Sequence, residues 1–402
     1  MILAFAAIAI LAAFGVFYVS SELAARRWIR RRRVYYVWPP GLRLRISPDR
    51  RVCSTFERTT RFEVNADGER GGALPRHCTG LYRILVAGGS QAEGYLLDQD
   101  TAWPGALQRL LSTSGRLAAL VASRVHVGSI ARSGVGSEAL GMIFEKVLPR
   151  YPRLSAIVIM AGASDVIRWL EDGTPPRPMP PKVPDLFRCH PEARFGWHPR
   201  RSALVELARR ARRRWLRPVD VHDHSGRYML RARDARLRAR VLETTPPPEP
   251  MIDHFDRCFR HALRLAKAHA DRVIIARQPW WNAGGTPEET PHIWSGSIGK
   301  AWTGDPLTTF YSVDVLMGLM ARMDRRAAAI AEELDVEQID LMPYLAPTLD
   351  NFYDFVHLTP AGASIVAQAI AAVMLKDPGA APEALCIGEA ALPGPAAVRG
   401  PR

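Results

Sequence analysis

The sequence predicts an α/β protein with a flavodoxin-like, three-layer α/β/α core, in which helices cover both faces of a parallel sheet. Five short apolar runs of strand length recur along the 402 residues, and patterns of helical period separate them. Such alternation calls for a parallel sheet that is buried on both faces. Glycines and polar residues follow several of the runs, which places them at the rim where open α/β sheets bind ligands.

The chain exceeds the usual size of one hydrophobic core, yet its strand signals describe a single α/β domain with additions. We predict this domain over residues 81–376, preceded by a connector at 34–80 and followed by a Pro- and Ala-rich tail at 377–402 that we expect to be disordered. The predicted strands are 83–88, 124–128, 155–161, 272–277 and 336–341, and the predicted helices lie near 101–113, 137–149, 253–269, 312–334 and 360–375.

The N-terminal segment predicts a transmembrane helix. Residues 2–19 carry no charge and are just long enough to cross a hydrocarbon core of roughly 30 Å. Six arginines follow between Arg26 and Arg33, whereas a cleaved signal peptide has its basic residues before the apolar run. We therefore predict an uncleaved anchor over residues 1–33. The positive-inside rule places the rest of the chain in the cytoplasm, with a periplasmic or extracellular location as the alternative.

An insertion at 169–251 separates the third predicted strand from the fourth. It opens and closes with Pro-rich stretches, at 174–181 and 245–248, which cannot form regular helix. A helical piece held between such stretches predicts a cap over the rim of the sheet, and the alternative is a peripheral excursion. After the fourth strand, a Gly-rich region places four Trp near the same rim, where they fit either packing in the core, which is the default for Trp, or the lining of a substrate groove. They are Trp280, Trp281, Trp294 and Trp302.

Three residues have the types and spacing of a nucleophilic catalytic group. Ser90 follows the apolar run 84–87 inside Gly88-Gly89-Ser90-Gln91-Ala92-Glu93-Gly94. Asp354 and His357 stand three residues apart, just before the last predicted helix. That spacing suits an imidazole whose Nδ1 is held by the carboxylate while its Nε2 faces a nucleophile, and Ser90 is the candidate for that nucleophile.

Two further segments follow predicted strands, namely Ser133-Gly134-Val135-Gly136-Ser137 and Gly162-Ala163-Ser164-Asp165. The ordered set of four blocks resembles the SGNH hydrolases, also called GDSL-type esterases and lipases. The resemblance implies that Ser90 is the nucleophile and first oxyanion donor, Gly134 the second donor, His357 the general base and Asp354 the residue that orients it. Two positions depart from the family pattern: Gly89 replaces Asp, and Ser164 stands where the family places the oxyanion-hole Asn.

Each of these residues alone is more typical of a turn or a helix cap. Ser90 and Asp165 could cap helices, and Gly134 could serve only as a turn residue. Their joint occurrence at successive strand ends favours one site instead. On that site we expect a membrane-anchored esterase or deacylase. An O-acyltransferase is the alternative enzyme, and a catalytically weak membrane-bound binding or scaffold protein is the alternative that Ser164 favours.

The net charge of +14 is concentrated in two places. Residues 1–33 contribute +5 and residues 200–240 contribute +10, so the remainder is close to neutral and a nucleic-acid partner is not expected. The second patch, Arg200 to Arg240, contains an apolar stripe at helical spacing, which fits either a second membrane contact or the solvated face of a cap helix. The stripe consists of Leu204, Leu207, Ala211 and Trp215.

Cofactor and metal motifs do not stand out. The five cysteines are scattered and odd in number, which indicates neither a zinc site nor a disulfide framework. No phosphate-binding glycine motif occurs, and His222 and His224 lack the partners of a metal site. We expect no cofactor and no metal. The expected partner is an acylated small molecule, lipid or saccharide, and the sequence indicates neither which one nor the oligomeric state.

Overall fold

A five-stranded parallel sheet forms the centre of the protein. It is seen in a computed structural model that describes residues 2–75, 77–192, 194–213, 217–283, 286 and 289–375. The strand order is β10-β8-β5-β3-β4, which is the flavodoxin-like order 2-1-3-4-5 when these five strands are numbered along the chain. The predicted fold class is therefore confirmed. The strands are β1 Arg43–Ser47, β2 Thr60–Glu63, β3 Leu81–Gly88, β4 Arg124–Ser129, β5 Leu154–Met160, β6 Val219–His222, β7 Arg240–Leu242, β8 Ala270–Arg277, β9 Thr309–Tyr311 and β10 Glu337–Asp340.

Helices cover both faces of this sheet. The helices are α1 Ile2–Arg32, α2 Ser90–Glu93, α3 Trp103–Thr113, α4 Ser137–Val147, α5 Ala163–Glu171, α6 Val183–Leu186, α7 Ala203–Arg213, α8 Ser225–Arg236, α9 Glu249–His269, α10 Val313–Glu333 and α11 Pro360–Leu375. Helices α3 and α11 pack together in one outer layer, and α4, α9 and α10 form the other. The inner strands β3 and β5 are largely buried, as parallel strands covered on both faces must be, whereas the edge strand β10 is more exposed.

The connector at 34–80 packs against the β4 edge of the central sheet. It contributes β1 and β2, and several of its side chains share the main hydrophobic core. A buried ionic cluster fixes it there. Glu69 accepts hydrogen bonds from the Arg83 guanidinium at 2.8 Å and lies 3.0 Å from His126 Nε2. The division of the chain at residue 80 stays a prediction, because the core is continuous across it.

The insertion carries α6, α7 and α8 and two short strands. It is shorter than predicted, because α5 continues to Glu171 and α9 already begins at Glu249. Gly173, with φ +77°, follows the end of α5 in a left-handed conformation. Strand β6 joins β1 of the connector, and β7 pairs with β9. The buried Arg233 of α8 donates to the carbonyl of Tyr353 at 2.9 Å, so the insertion reaches the loop that bears His357.

Helix α1 has two different parts. Large apolar side chains as far as Val19 are exposed, and the helix is long and apolar enough to cross a membrane, a criterion that a signal sequence would also meet. Beyond them, Ala25 and Ile29 pack against Ala203 of α7. Leu204 and Leu207 of the predicted apolar stripe also pack against this part of α1. Trp215 and the tail at 377–402 lie outside the described residues.

A buried carboxylate joins α1 to α7. Glu22 accepts hydrogen bonds from the Ser202 hydroxyl at 2.6 Å, the Ala203 N–H at 2.7 Å and the Leu204 N–H at 3.0 Å. It also pairs with Arg26 one turn later in α1. Glu22 therefore supplies from another helix the acceptor that the first N–H groups of α7 need.

Candidate active site

The predicted site residues lie at the carboxyl ends of β3, β4 and β5, where the strand order of the sheet reverses. Ser90 begins α2, Gly134 lies between β4 and α4, and Ser164 lies in the first turn of α5. His357 reaches them from the segment between β10 and α11. These four residues line one cavity of about 420 Å³, and Asp354 is fully buried behind His357. The location is the one at which open α/β sheets bind ligands.

Glycine shapes the turn that presents Ser90. Gly88 has φ +146°, and a Cβ built there would lie 1.9 Å from the carbonyl oxygen of Met160 on the neighbouring strand. No other residue fits without moving β3 away from β5. Gln91 then fixes α2, because its amide donates to the carbonyls of Pro279, at 3.1 Å, and Val356. The turn that bears Ser90 is thus tied to the segment before His357.

Ser90, His357 and Asp354 form a continuous hydrogen-bonded chain. His357 Nε2 lies 2.7 Å from Ser90 Oγ, and His357 Nδ1 lies 2.7 Å from Asp354 Oδ2. Asp354 also accepts from the His357 N–H at 2.8 Å, the Val356 N–H at 3.0 Å and Trp294 Nε1 at 2.7 Å. The other groups that contact Asp354 are all hydrogen-bond donors, so its carboxylate acts only as an acceptor. His357 Nδ1 therefore carries a proton, and His357 Nε2 can accept the proton from Ser90.

The charges of the pair reinforce each other. Burial alone would raise the pKa of Asp354, but the His357 charge and the hydrogen bonds from His357 and Val356 lower it to about 2. Burial alone would lower the pKa of His357, and the carboxylate of Asp354 outweighs it and raises that pKa. Asp354 is therefore ionised at neutral pH, and His357 is a stronger base than an isolated imidazole.

Two buried carboxyl groups hold the loop that contains Gly134. Glu93 of α2 accepts from the Ser133 N–H at 2.6 Å and from the Ser133 hydroxyl. Asp165 of α5 accepts from the Ser137 N–H at 3.0 Å and the Ser137 hydroxyl at 2.7 Å. Glu93, which follows β3, thus holds one end of the loop, and Asp165, which follows β5, holds the other. Gly134 between them has φ +77°, and the N–H groups of Ser90 and Gly134 have no acceptor within the described part of the chain.

Glu93 lies at the site, although the sequence pattern did not identify it as a site residue. Burial raises its pKa, against the lowering effect of the hydrogen bonds from Ser133. Burial also raises the pKa of Asp165 in the same way. The available signal for Glu93 was its position, one turn after the candidate nucleophile on a helix too short to be amphipathic. Its partner lies 40 residues away, which no local pattern shows.

The two departures from the family pattern lie next to each other. A Cβ built on Gly89 would lie 2.9 Å from Ser164 Oγ and 3.3 Å from the carbonyl oxygen of Val135. A larger residue at 89 therefore requires Ser164 to move. Ser164 Oγ has no hydrogen-bond partner among the described residues, and Ser164 lines the same cavity as Ser90 and Gly134.

The predicted Trp groove is only half present. Trp294 and Trp302 line the cavity, whereas Trp280 and Trp281 are buried in the hydrophobic core. Asp165, one of the predicted cap candidates, serves α4 rather than its own helix. Across the described ranges, no three His, Cys, Asp or Glu side chains converge as a metal site would require.

Comparison with known proteins gives structural likeness only. No family model matches the chain, and no curated protein sequence matches it. Among solved structures, it is similar to a member of the lipolytic protein G-D-S-L family from Veillonella parvula DSM 2008, with 11% identity and a TM-score of 0.39 over 73% of this chain and 97% of that one. It is similar to Axe2, an acetylxylan esterase from Geobacillus stearothermophilus, with 14% identity and a TM-score of 0.39 over 73% and 94% of the two chains. Likeness at this level carries no argument about activity. An inference about activity rests on the side-chain geometry of this chain.

Proposed function

We propose that this chain is a membrane-anchored serine hydrolase of the SGNH type, an esterase or deacylase that acts through Ser90, His357 and Asp354. The observation that carries the proposal is the pair of 2.7 Å contacts that link Ser90 Oγ, His357 and Asp354 in one line. A serine hydroxyl is a weak nucleophile unless an aligned base takes its proton. A structural serine at a helix start has no need of a buried His–Asp pair.

The first half of the proposed reaction forms an acyl-enzyme. His357 Nε2 takes the Ser90 proton as Ser90 Oγ bonds to the acyl carbon, and the carbonyl electron pair moves onto its oxygen. The N–H groups of Ser90 and Gly134 stabilise that oxyanion, and the Ser164 hydroxyl is a third donor. When the tetrahedral intermediate collapses, the C–O bond to the alcohol breaks and His357 returns the proton to the alcohol oxygen.

Water completes the reaction by the same steps. His357 removes a proton from water, the hydroxide adds to the acyl carbon, and Ser90 leaves with the proton that His357 holds. Asp354 remains ionised throughout and stabilises the imidazolium. If an alcohol took the place of water, the product would be a new ester, and the activity would be O-acyl transfer.

We further propose that residues 1–33 anchor the protein in a membrane, with the hydrolase domain at 81–376 on the cytoplasmic side. Two features support this: the exposed apolar surface of α1 up to Val19, and the arginines that follow it. The segment at 172–248 acts as a cap, since Ser225, Tyr228 and Met229 of α8 line the cavity that contains Ser90.

A serine-directed fluorophosphonate tests the function directly. Full-length protein in detergent should be labelled at Ser90, and Ser90→Ala and His357→Ala should lose both labelling and hydrolysis of p-nitrophenyl acetate. Ser54→Ala, at an exposed serine that does not line the cavity, is the matched serine control, which should still be labelled. Equal labelling of wild type and Ser90→Ala would refute the proposal. Product analysis with an added alcohol separates hydrolysis from acyl transfer.

A further inference from the structure

One face of α5 forms a wall of the candidate active-site cavity. Ser164, Ile167, Arg168 and Glu171 all line it, at the spacing i, i+3, i+4 and i+7 of a single helix face. Seven residues of helix extend about 10 Å, so the cavity continues two turns beyond the residue next to Ser90. The space is larger than an acetyl group needs, and its far end is available to the alcohol part of an ester.

Glu171 is a largely buried residue whose carboxyl group faces the cavity. The residue is only 7% exposed, and among the described residues its side chain accepts no hydrogen bond and forms no ion pair. The neighbouring cations are engaged by Asp172 instead, which lies 3.0 Å from Lys300 Nζ and 3.8 Å from Arg168 Nε. A carboxyl group that faces a cavity without a hydrogen bond favours a ligand that can supply one.

The protonation state of Glu171 suits a hydroxyl partner better than a cation. Burial raises its pKa to about 8, against the lowering effect of Lys300 and Arg168. Near neutral pH the group is therefore largely protonated, so it can both donate and accept a hydrogen bond. Alcohol hydroxyls also do both.

Aromatic rings line the same cavity. Trp302 is 53% exposed and packs edge-on against Tyr228, with ring centroids 6.4 Å apart. Tyr228 in turn packs against Trp294 at 5.7 Å. An exposed ring together with a hydroxyl-binding carboxyl fits a ligand that has an apolar face and polar edges. A fatty alcohol would instead place methylene groups against Glu171 and leave its carboxyl group without a hydrogen bond.

We propose that Glu171 is a specificity-determining residue that hydrogen-bonds a hydroxyl of a polyhydroxylated alcohol, such as a sugar, whose ester is cleaved at Ser90 and whose ring lies against Trp302. This rests on the proposed esterase function. Acylated sugars are then preferred over simple aryl or fatty esters, and the preference comes from the far end of the cavity.

Two substrates test the assignment on full-length protein in detergent: 6-O-acetyl methyl glucoside, and p-nitrophenyl acetate, whose alcohol part has no hydroxyl to offer Glu171. Glu171→Ala should lower kcat/KM for the glucoside by about tenfold or more, mainly through KM, because one buried hydrogen bond is lost. Hydrolysis of p-nitrophenyl acetate should change less than twofold. Glu171→Gln, which keeps a donor and an acceptor, should retain most of the activity, and Asp305→Ala, an exposed acid in the Trp302 loop, should behave as wild type.

Equal losses on both substrates, or no loss on either, would overturn the assignment. A binding measurement separates it from the esterase proposal. By calorimetry, Ser90→Ala should bind the acetylated glucoside, and the Ser90→Ala, Glu171→Ala double variant should bind it at least tenfold more weakly. Glu171-dependent binding without any Ser90-dependent turnover would refute the esterase and keep the sugar site. Turnover of p-nitrophenyl acetate without glucoside binding would refute the sugar site alone.

Discussion

The His357–Asp354 pair predicts a particular pH dependence. Asp354 raises the pKa of His357 above its ordinary value, and only neutral His357 can accept the Ser90 proton. We therefore expect kcat/KM to rise with pH through an apparent pKa above 6.5 and to level off at mildly alkaline pH. Steady-state rates on p-nitrophenyl acetate between pH 5 and 9 measure it. Asp354→Asn should move the rise to lower pH while lowering the plateau by up to about 10⁴.

His357 and Asp354 also affect stability, and the contribution of His357 to stability falls with rising pH while activity rises. Because the pKa of His357 is raised on folding, its contribution to stability is present below 6.5 and is lost as the pH rises through the folded value. Asp354, with a folded pKa of about 2, contributes above its ordinary value and loses that contribution only as the pH falls toward 2. Loss of activity near pH 6 should therefore occur in fully folded protein. Unfolding at that pH would contradict this explanation.

Glu93 predicts an effect on kcat without contact with substrate. Glu93→Ala removes the acceptor for the Ser133 N–H and hydroxyl, so the Gly134 N–H loses its fixed position and kcat should fall by about 10- to 100-fold with little change in KM. Glu93→Gln keeps an acceptor and should recover most of the loss. Glu138→Ala, on the neighbouring helix, is the control. An equal loss for Glu93→Ala and Glu93→Gln would indicate a role of the charge rather than positioning.

At the scale of single residues, sequence spacing predicted a contact only where the two partners are close together in the chain. Asp354 and His357 lie three residues apart, and their contact follows from that spacing. Ser90 could be named because a glycine turn after a strand is a recognisable pattern. Trp294 was named only as a groove residue, and its donation to Asp354 across 60 residues was not predictable, because nothing near it in the sequence indicates that partner.

Among the elements, the contact between α1 and α7 predicts a structural role for Glu22. Glu22→Ala leaves the first N–H groups of α7 and the Ser202 hydroxyl without their acceptor, which should cost at least the 1–2 kcal/mol of a lost helix cap. Limited proteolysis in detergent should then cleave the cap sooner around 194–213. Glu206→Ala, which removes only partly exposed ion pairs with Arg210 and Arg213, is the control on the same helix. Unchanged proteolysis would show that α7 does not depend on α1.

The elements of the core were predictable and those around it were not. All five predicted strands occur within two residues of their predicted starts, because buried parallel strands are continuous apolar runs. No part of α5 was predicted as a helix, since its start was assigned to a site block and its end to the insertion. The pairing of β1 with β6 joins segments about 175 residues apart, and neither is apolar enough to stand out.

For the whole molecule, the charge distribution predicts its orientation in the membrane. Six arginines follow the exposed apolar part of α1, and moving them across a bilayer is opposed by insertion and by the membrane potential. A C-terminal alkaline phosphatase fusion should therefore be inactive in bacterial cells, and a fluorescent protein fusion should be bright. An active phosphatase fusion would reverse the orientation and leave the proposed chemistry unchanged.

The sequence could not predict how the core, the insertion and helix α1 pack together. For the patch Arg200 to Arg240, the sequence left two hypotheses open, namely a contact with lipid or the solvated face of a cap helix. Most of the apolar stripe that would have met lipid packs on α1 or lies outside the described residues. Amphipathic periodicity shows that a helix buries one face but not against which partner.

Helix α1 runs without a break from the exposed apolar segment into its packing with α7, 31 residues in all. If the first part crosses a bilayer, the helix and the cap tilt together, because Glu22 fixes one to the other. A change in bilayer thickness that alters the tilt of the helix would then rotate the mouth of the cavity relative to the lipid surface. The lipid composition of the membrane would in this way determine which substrates, those in the aqueous phase or those at the lipid surface, can enter.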